Sequence, residues 1–469
     1  MSCPLRVLLA ASVFSLSLSS PPALPPSQLR LTLGDAPSSL VASWATSNVS
    51  TPRDYRPCVQ WGPAPPAPAP APLPYSSCGN SSGYTAFGVA SPALHFARLT
   101  GLAPDSAYAY SVGDARFGQS APITFRTLPA WSSSAAAPSP PPPVLTVAVT
   151  GDMGIVDSAA TMATIGRLVS AGAVCMHFHA GDSGYADNRQ AADGGTHTED
   201  VLNTFYASMS DAYASRVVGG FSIGNHEMQL GDVGTCGGSG KNGTCRGLAY
   251  FERVAPSLPT AASGGSPFYW ASTSGPVRWI SLSFESPWEP GSPQHAWAAE
   301  QIATVDRAAT PWVVVVVHRP LYSSNELTWP DADAMRNAYE GMFVGAAGGA
   351  AGGAPAVDFI LGAHVHVYER AWQVAANGTY VRQDYQGMTT PLHVVSGSAG
   401  CIEGSTPFIG APPAWSAARF GESTAFGFVT LAFYNETHAR QAFVDAHTGG
   451  ELDSAWIVRQ AGSAAAVEN

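Results

Sequence analysis

VCMHFHAGDSGY, residues 174–185, is an apolar run that reads as a β-strand and then breaks at glycine to present Asp182 and Tyr185. The same junction recurs along the chain. LTVAVTGDMG leads to Asp152, RVVGGFSIGNHE to Asn225, His226 and Glu227, WVVVVVHRP to His318, and AVDFILGAHVHVYER to His364 and His366. Between them, SAATMATIGRLVS and QHAWAAEQIATVDRAATPW carry helical patterns, the first with Asp157 as its expected N-cap. Strands alternating with helices imply a layered α/β domain, in which strand C-terminal ends converge on one edge. Asp152, Asp182, Tyr185, Asn225, His318, His364 and His366 are therefore expected to share that edge. A set of carboxylates, a phenol, an amide and imidazoles is what two adjacent cations need, with Asp182 as the natural bridge. A phenolate suits a hard trivalent ion, so Tyr185 points to Fe(III). His364 and His366, two positions apart on an extended segment, face the same way. His226 is left to assist chemistry, with Glu227 expected to steady it.

Upstream the texture differs. From residue 24 to 129, short alternating runs such as LRLTLGD, LVASWAT, CVQWGP and ITFRTLP are separated by Gly, Pro and Asn, the pattern of a small antiparallel sandwich. The Pro/Ala tract from Pro63 to Pro74 is expected to form an extended surface loop, and residues 130–143, rich in Pro, Ser and Ala, a linker. Residues 144–462 then form the second domain, whose terminal segment, 421–460, reads as further strands. Gly345 to Pro355, GAAGGAAGGAP, reads as a mobile loop.

The chain has 469 residues, a net charge of −11 and a single lysine, Lys241, with no basic run. That balance excludes nucleic acid as the natural partner and leaves capture of any anionic substrate to local cations. MSCPLR followed by VLLAASVFSLSLSS and PPALPP reads as a signal peptide over residues 1–23, too short for a membrane span. Cys58–Cys78 and Cys236–Cys245 each bracket a loop and are the expected disulfides, whereas Cys175 reads as a buried thiol. Sequons at Asn48, Asn80, Asn242, Asn377 and Asn435 fit the same secreted or secretory-lumen setting.

In order and interval these motifs resemble the purple acid phosphatases, a branch of the calcineurin-like metallophosphoesterases, and LTGLAPDSAYAYSVGD resembles the corner of a fibronectin type III-like module found in long members. The first motif, Asp152-Met153-Gly154, lacks the histidine that most of the superfamily has there. The resemblance implies two mixed sheets flanked by helices around a β-sandwich core, preceded by the small all-β sandwich. It also implies a ligand division: Asp152, Asp182, Tyr185 and His366 on Fe(III); Asp182, Asn225, His318 and His364 on a divalent Zn, Mn or Fe. The activity it implies is hydrolysis of small phosphate monoesters by a water activated at the metal pair, with His226 assisting the leaving group. A phosphodiesterase or nucleotide pyrophosphatase would use the same metals, and a non-catalytic binding protein would show eroded ligands. The chain departs from plant members after HRPLYSSN, where Asn325, Glu326 and Leu327 stand near the position of a His-His pair. Arg319, Tyr322 and Asn325 are the expected substitutes, alongside Asn225. Ala363 stands between Gly362 and His364, where the family places glycine directly before histidine. His177 and His179 are read as core or supporting residues, His197 and Glu199 as a helix start on a solvated face, and Arg370 as support for the ligand loop.

Overall fold

The computed structural model describes residues 24–47, 52, 54–64, 73–131, 142–188, 196–229, 246–325, 332–408, 410–421 and 426–460. The leader, most of the linker and of the Pro/Ala tract, Cys236, Cys245, Asn48 and Asn242 lie outside these residues. Five valines end the strand Trp312–Val317 and are buried on both faces. Side-chain alternation explains how: Val314 and Val316 join the core between two sheets, while Val313, Val315 and Val317 pack with Trp297, Met335, Tyr339 and Phe343 of two covering helices. Each buried valine contributes on the order of 1.5–3 kcal/mol relative to exposure. A strand covered on both sides is held rigidly, and His318 follows it directly.

One sheet has eleven strands, the other seven. In the larger, Leu145–Thr150, Met176–His179 and Val218–Phe221 run parallel in register, with Thr150 opposite His179 and His179 opposite Phe221. In the smaller, Val277–Leu282, Trp312–Val317, Phe359–Gly362 and Leu392–Ser396 are likewise parallel. Phe178 lies 5.5 Å from both Trp270 and Trp279, and Trp312 lies 5.5 Å from Phe433, so aromatic side chains fill the space between the sheets. The C-terminal strands Gly427–Phe433, His438–Asp445 and Glu451–Arg459 extend the larger sheet beside Leu145–Thr150.

The N-terminal sandwich is joined to this framework. Its strand Ser27–Leu33 pairs in parallel with Val218–Phe221, Leu31 opposite Val218, so one sandwich sheet continues the eleven-stranded sheet. The other sandwich sheet contains Cys58–Pro63, Tyr75–Cys78, Ala107–Asp114 and Ile123–Arg126. Cys58 and Cys78 sit opposite each other on adjacent strands and form the expected disulfide. Tyr108 accepts from the Ala103 N–H at 3.0 Å, the corner contact that the sequence suggested. At the seam, Arg253 is buried and bonds Glu199, Gln28 and Tyr84, while Arg30 donates to the Arg253 carbonyl at 2.6 Å.

Several local expectations change. Ser158, not Asp157, holds the N-cap position of the helix Ala159–Ser170, but its hydroxyl donates back to the Gly154 carbonyl and does not cap the helix N–H groups. The helix Thr198–Met209 does begin after His197, but Glu199 is buried against Arg253 because the N-terminal strands cover that face. Residues 345–355 form a folded turn instead of a mobile loop: Gly349 N–H donates to the Thr389 carbonyl at 2.6 Å, and Gly353 N–H to Ala347 at 2.7 Å. His177 and His179 are fully internal and share the Thr150 hydroxyl at 2.8 and 3.0 Å. Arg370 is tied to Asp453 on the last strand, which braces the segment after His366.

Candidate metal centre

Chain reversal at the strand ends forces an unusual backbone. Among the described residues, nine non-glycine residues have positive φ, and four of them are Asp152 (56°), Asp182 (58°), Tyr185 (57°) and His364 (66°). Left-handed backbone is costly for such residues and persists only where surrounding structure enforces it. Here enforcement is visible. The Glu227 carboxylate accepts from the N–H groups of Asp182 at 3.0 Å, Ser183 at 2.6 Å and Gly224 at 2.7 Å, pinning two ligand loops together. A Cβ on Gly224 would fall inside van der Waals contact of Asp182 Oδ1, so only glycine fits there. Glu227 thus holds backbone and does not steady His226. That part belongs to Asp187, whose Oδ2 lies 2.7 Å from His226 Nδ1.

By contact, the seven side chains fall into two groups. Tyr185 donates to Asp152 Oδ1 at 3.0 Å and lies 2.9 Å from His366 Nε2, which is itself 3.5 Å from Asp152 Oδ1. In the other group, His318 Nε2 stands 2.9 Å from Asp182 Oδ2 and 3.2 Å from Asn225 Oδ1. Donor atoms of Asp182, His318 and His364 all lie within 4.8 Å of one another. The groups are joined by the His364 N–H, which donates to Asp152 Oδ2 at 2.7 Å, and by Met153 N–H to the Asp182 carbonyl at 3.2 Å.

Two imidazoles are oriented by backbone carbonyls. His318 Nδ1 is 2.8 Å from the Ala180 carbonyl and His366 Nδ1 is 2.9 Å from that of Gly404. Each therefore turns Nε2 toward carboxylate oxygen, the arrangement that sets a metal-binding tautomer. Asp182 Oδ2 is buried and meets no aligned donor despite the nearness of His318. Burial lowers the pKa of His318 and His366, yet Asp182 beside His318 raises it to about 9, and Asp152 with Cys401 beside His366 raises it to about 11. For Asp182, burial opposes ionisation, but His318 and His226 hold it well below the usual carboxylate range. The cluster demands positive charge between Nε2 and oxygen, which cations supply on displacing protons. Burial, and then Asp152, push the Tyr185 phenol well up, so only a strongly charged cation would ionise it. The donor set fits a pair of metal ions.

Around this cluster, His226 packs against Tyr185 with ring centroids 4.3 Å apart and planes tilted by 44°, and its Nε2 lies 3.8 Å from both Asp182 Oδ2 and Glu403 Oε1. Burial lowers its pKa, but Asp182 and Asp187 outweigh it and raise the value to about 10. A cavity of about 370 Å³ opens over His226, His364 and His366 and is walled by Val365, Glu403 and residues 405–407. Arg319 touches one of these residues: Nη1 lies 3.1 Å from His364 Nε2, with Nε fixed by Glu285 at 2.8 Å. Tyr322 does not. Its hydroxyl is held by Glu340 and Gly378 N–H, and its ring packs on His393 and Trp415. Asn325 is buried and donates to the Pro407 carbonyl at 2.7 Å, bracing the cavity wall instead of facing substrate. Asp187, Glu403 and Cys401, with Sγ 3.3 Å from His366 Nδ1, were missed in the sequence. Only Asp187 had a signal, as a second carboxylate two residues after Tyr185.

The fold and site define a calcineurin-like phosphoesterase, and the family model of that description matches residues 145–368. Flanking it, the model for the purple acid phosphatase N-terminal domain matches residues 26–127, and that for the iron/zinc purple acid phosphatase-like protein C-terminal region matches 390–454. The chain belongs to the purple acid phosphatase family and is an enzyme of the phosphoesterase class. It is 28% identical to human acid phosphatase type 7, over 98% of this chain and 96% of that protein. It is 27% identical to a phosphoenolpyruvate phosphatase of Allium cepa, over 88% and 77%. The solved purple acid phosphatase from yellow lupin (Lupinus luteus) seeds shares the fold, with a TM-score of 0.74 at 21% identity over 93% of this chain and 75% of that one. Among the described residues no helix is long and apolar enough to cross a membrane.

Proposed function

We propose that this protein is a secreted acid phosphatase that hydrolyses small phosphate monoesters at an Fe(III)–divalent pair. Asp152, Asp182, Tyr185 and His366 would hold Fe(III), and Asp182, Asn225, His318 and His364 the divalent Zn, Mn or Fe. The observation that carries the reading is the pair of backbone-oriented imidazoles facing buried carboxylate oxygen beside ligands held in left-handed backbone. Bound there, two cations supply Lewis acidity and lower the pKa of water enough for attack on phosphorus.

The chain's own groups do the rest. Asp187 accepts the Nδ1 proton of His226 and leaves Nε2 able to give its proton to the departing alkoxide. The Asp187 carboxylate beside Nδ1 favours the protonated imidazole. Arg319 and a cation compete for His364 Nε2, so metal loading frees the guanidinium to bind a phosphate oxygen while Glu285 keeps it in place. Ser405 and Thr406 offer hydroxyls to the leaving group in the cavity.

The test is kcat/KM for a chromogenic phosphomonoester and the matching diester, from acidic to neutral pH, in wild type and His226→Ala. A monoester preference that falls about 10²–10⁴-fold in His226→Ala, with metal content unchanged, supports the reading. Diester preference would transfer the assignment to phosphodiesterase.

A further inference from the structure

We infer that Glu403 selects the leaving group, favouring phosphate monoesters of amino alcohols, which carry an ammonium, over monoesters whose alcohol carries a carboxylate or a second phosphate. The inference deepens the phosphomonoesterase reading proposed above and rests on it. Among the described residues, the lining of the cavity holds one carboxylate, that of Glu403, and no lysine or arginine. The Glu403 side chain is 40% exposed, with Oε1 3.8 Å from His226 Nε2 and Oε2 3.9 Å from His366 Nε2. Both distances exceed a hydrogen bond, and His226 Nδ1 already has Asp187 at 2.7 Å. Asn188 Nδ2 donates to Oε1 at 3.3 Å, which orients the carboxylate without neutralising it. The loop that carries Glu403 is fixed. Gly404 N–H donates to the Cys401 carbonyl at 3.1 Å, the Gly404 carbonyl lies 2.9 Å from His366 Nδ1, and Thr406 N–H donates to the His366 carbonyl at 3.3 Å.

The position of this carboxylate decides what it meets. In the proposed reaction the ester oxygen lies against His226 Nε2, so the rest of the alcohol extends into the cavity past that atom, where Glu403 stands. An ammonium two carbons from the ester oxygen meets a carboxylate there. An anionic substituent meets like charge in a lining that offers no lysine or arginine. Such repulsion rejects competitors that attractive contacts alone would admit. The chain's net charge of −11 acts in the same direction at longer range. In the turnover itself the water oxygen bonds phosphorus and the P–O bond to the alcohol breaks. The His226 Nε2 proton passes to the departing alkoxide, the proton lost by water restores it, and inorganic phosphate and the amino alcohol leave.

The experiment compares kcat/KM of the metal-loaded full chain for aminoethyl, hydroxyethyl and carboxymethyl phosphate, in wild type, Glu403→Gln and Glu403→Lys. Ratios between substrates within one protein cancel differences in metal content and folded fraction. Wild type should prefer the aminoethyl to the carboxymethyl ester by at least about 10-fold, and high salt should shrink that preference. Glu403→Gln should bring the ratio close to one, and Glu403→Lys should reverse it. Turnover of the hydroxyethyl ester with no preference for the aminoethyl over the carboxymethyl ester in wild type would overturn the inference and leave the phosphomonoesterase reading intact. A preference that persists unchanged in Glu403→Gln would likewise overturn the assignment to Glu403. No turnover of any of these esters would overturn both readings.

Discussion

The two halves of the metal centre are held by different means. Ligands from the larger sheet, Asp152, Asp182 and Tyr185, are aimed by left-handed backbone, with Glu227 clamping the loops around Asp182. From the smaller sheet, His318 and His366 are aimed by single hydrogen bonds to carbonyls, with only His364 sharing the unusual backbone. Carboxylates are short and must be carried to the metal by the chain itself, whereas an imidazole reaches out and needs only its rotation fixed. Damage to the first half should therefore propagate further than damage to the second.

The strongest way to break this contrast is Gly224→Ala, which drives a methyl into Asp182 Oδ1. It should lower kcat/KM by at least about 10³-fold, together with metal content, because the Asp182 carboxylate is displaced. Next comes a pair. Glu227→Gln keeps the shape but loses the charge that gathers three N–H groups, and should weaken metal binding about 10–100-fold by equilibrium dialysis. Cys401→Ala removes a neighbour of His366 Nδ1 but leaves the Gly404 carbonyl, and should change the same constant by less than Glu227→Gln does. A smaller effect concerns packing. A Cβ on Gly151 would collide with that of Ala363, so Gly151→Ala should cost about 1–3 kcal/mol in denaturant unfolding, and Ala363→Gly should restore most of it.

The last effect lies in the sandwich, in another part of the chain from the candidate metal ligands. Burial pushes the His95 imidazole down to about 4, where it bonds Thr46 and Ser81 while neutral. Its ordinary value is about 6.5, so the unfolded chain takes up the proton first as pH falls. Its contribution is therefore complete above about pH 6.5 and declines toward pH 4, by at most about 1.4 kcal/mol per pH unit. Urea midpoints across that window should fall less steeply in His95→Gln than in wild type.

Much of this architecture was legible because apolar strand patterns and their terminal Gly-Asp or His residues are local. Asp152, Asp182 and His318 could be placed at strand ends without knowing which strands were neighbours. What escaped depends on contacts distant in sequence. Ser27–Leu33 looks like any half-buried strand, and nothing in its alternation names Val218 as its partner. Glu199 looks solvated until Arg253 and the N-terminal strands cover it. Tyr322 and Asn325 are expected at the substrate only because they stand near the position of the plant His-His pair, but the fold ties Tyr322 to Glu340 and Asn325 to the Pro407 carbonyl of the cavity wall. Asp187 takes the place expected of Glu227 beside His226 because a carboxylate next to a histidine in sequence need not face it in space.

The central claim, that the strand ends hold an Fe(III) ion through Tyr185 beside a divalent ion, is tested most directly by metal analysis and visible absorption of wild type and Tyr185→Phe. The account predicts iron and a second metal bound together in wild type, with a phenolate-to-iron charge-transfer band that Tyr185→Phe abolishes. Full phosphomonoester turnover by protein containing neither iron nor that band would contradict it.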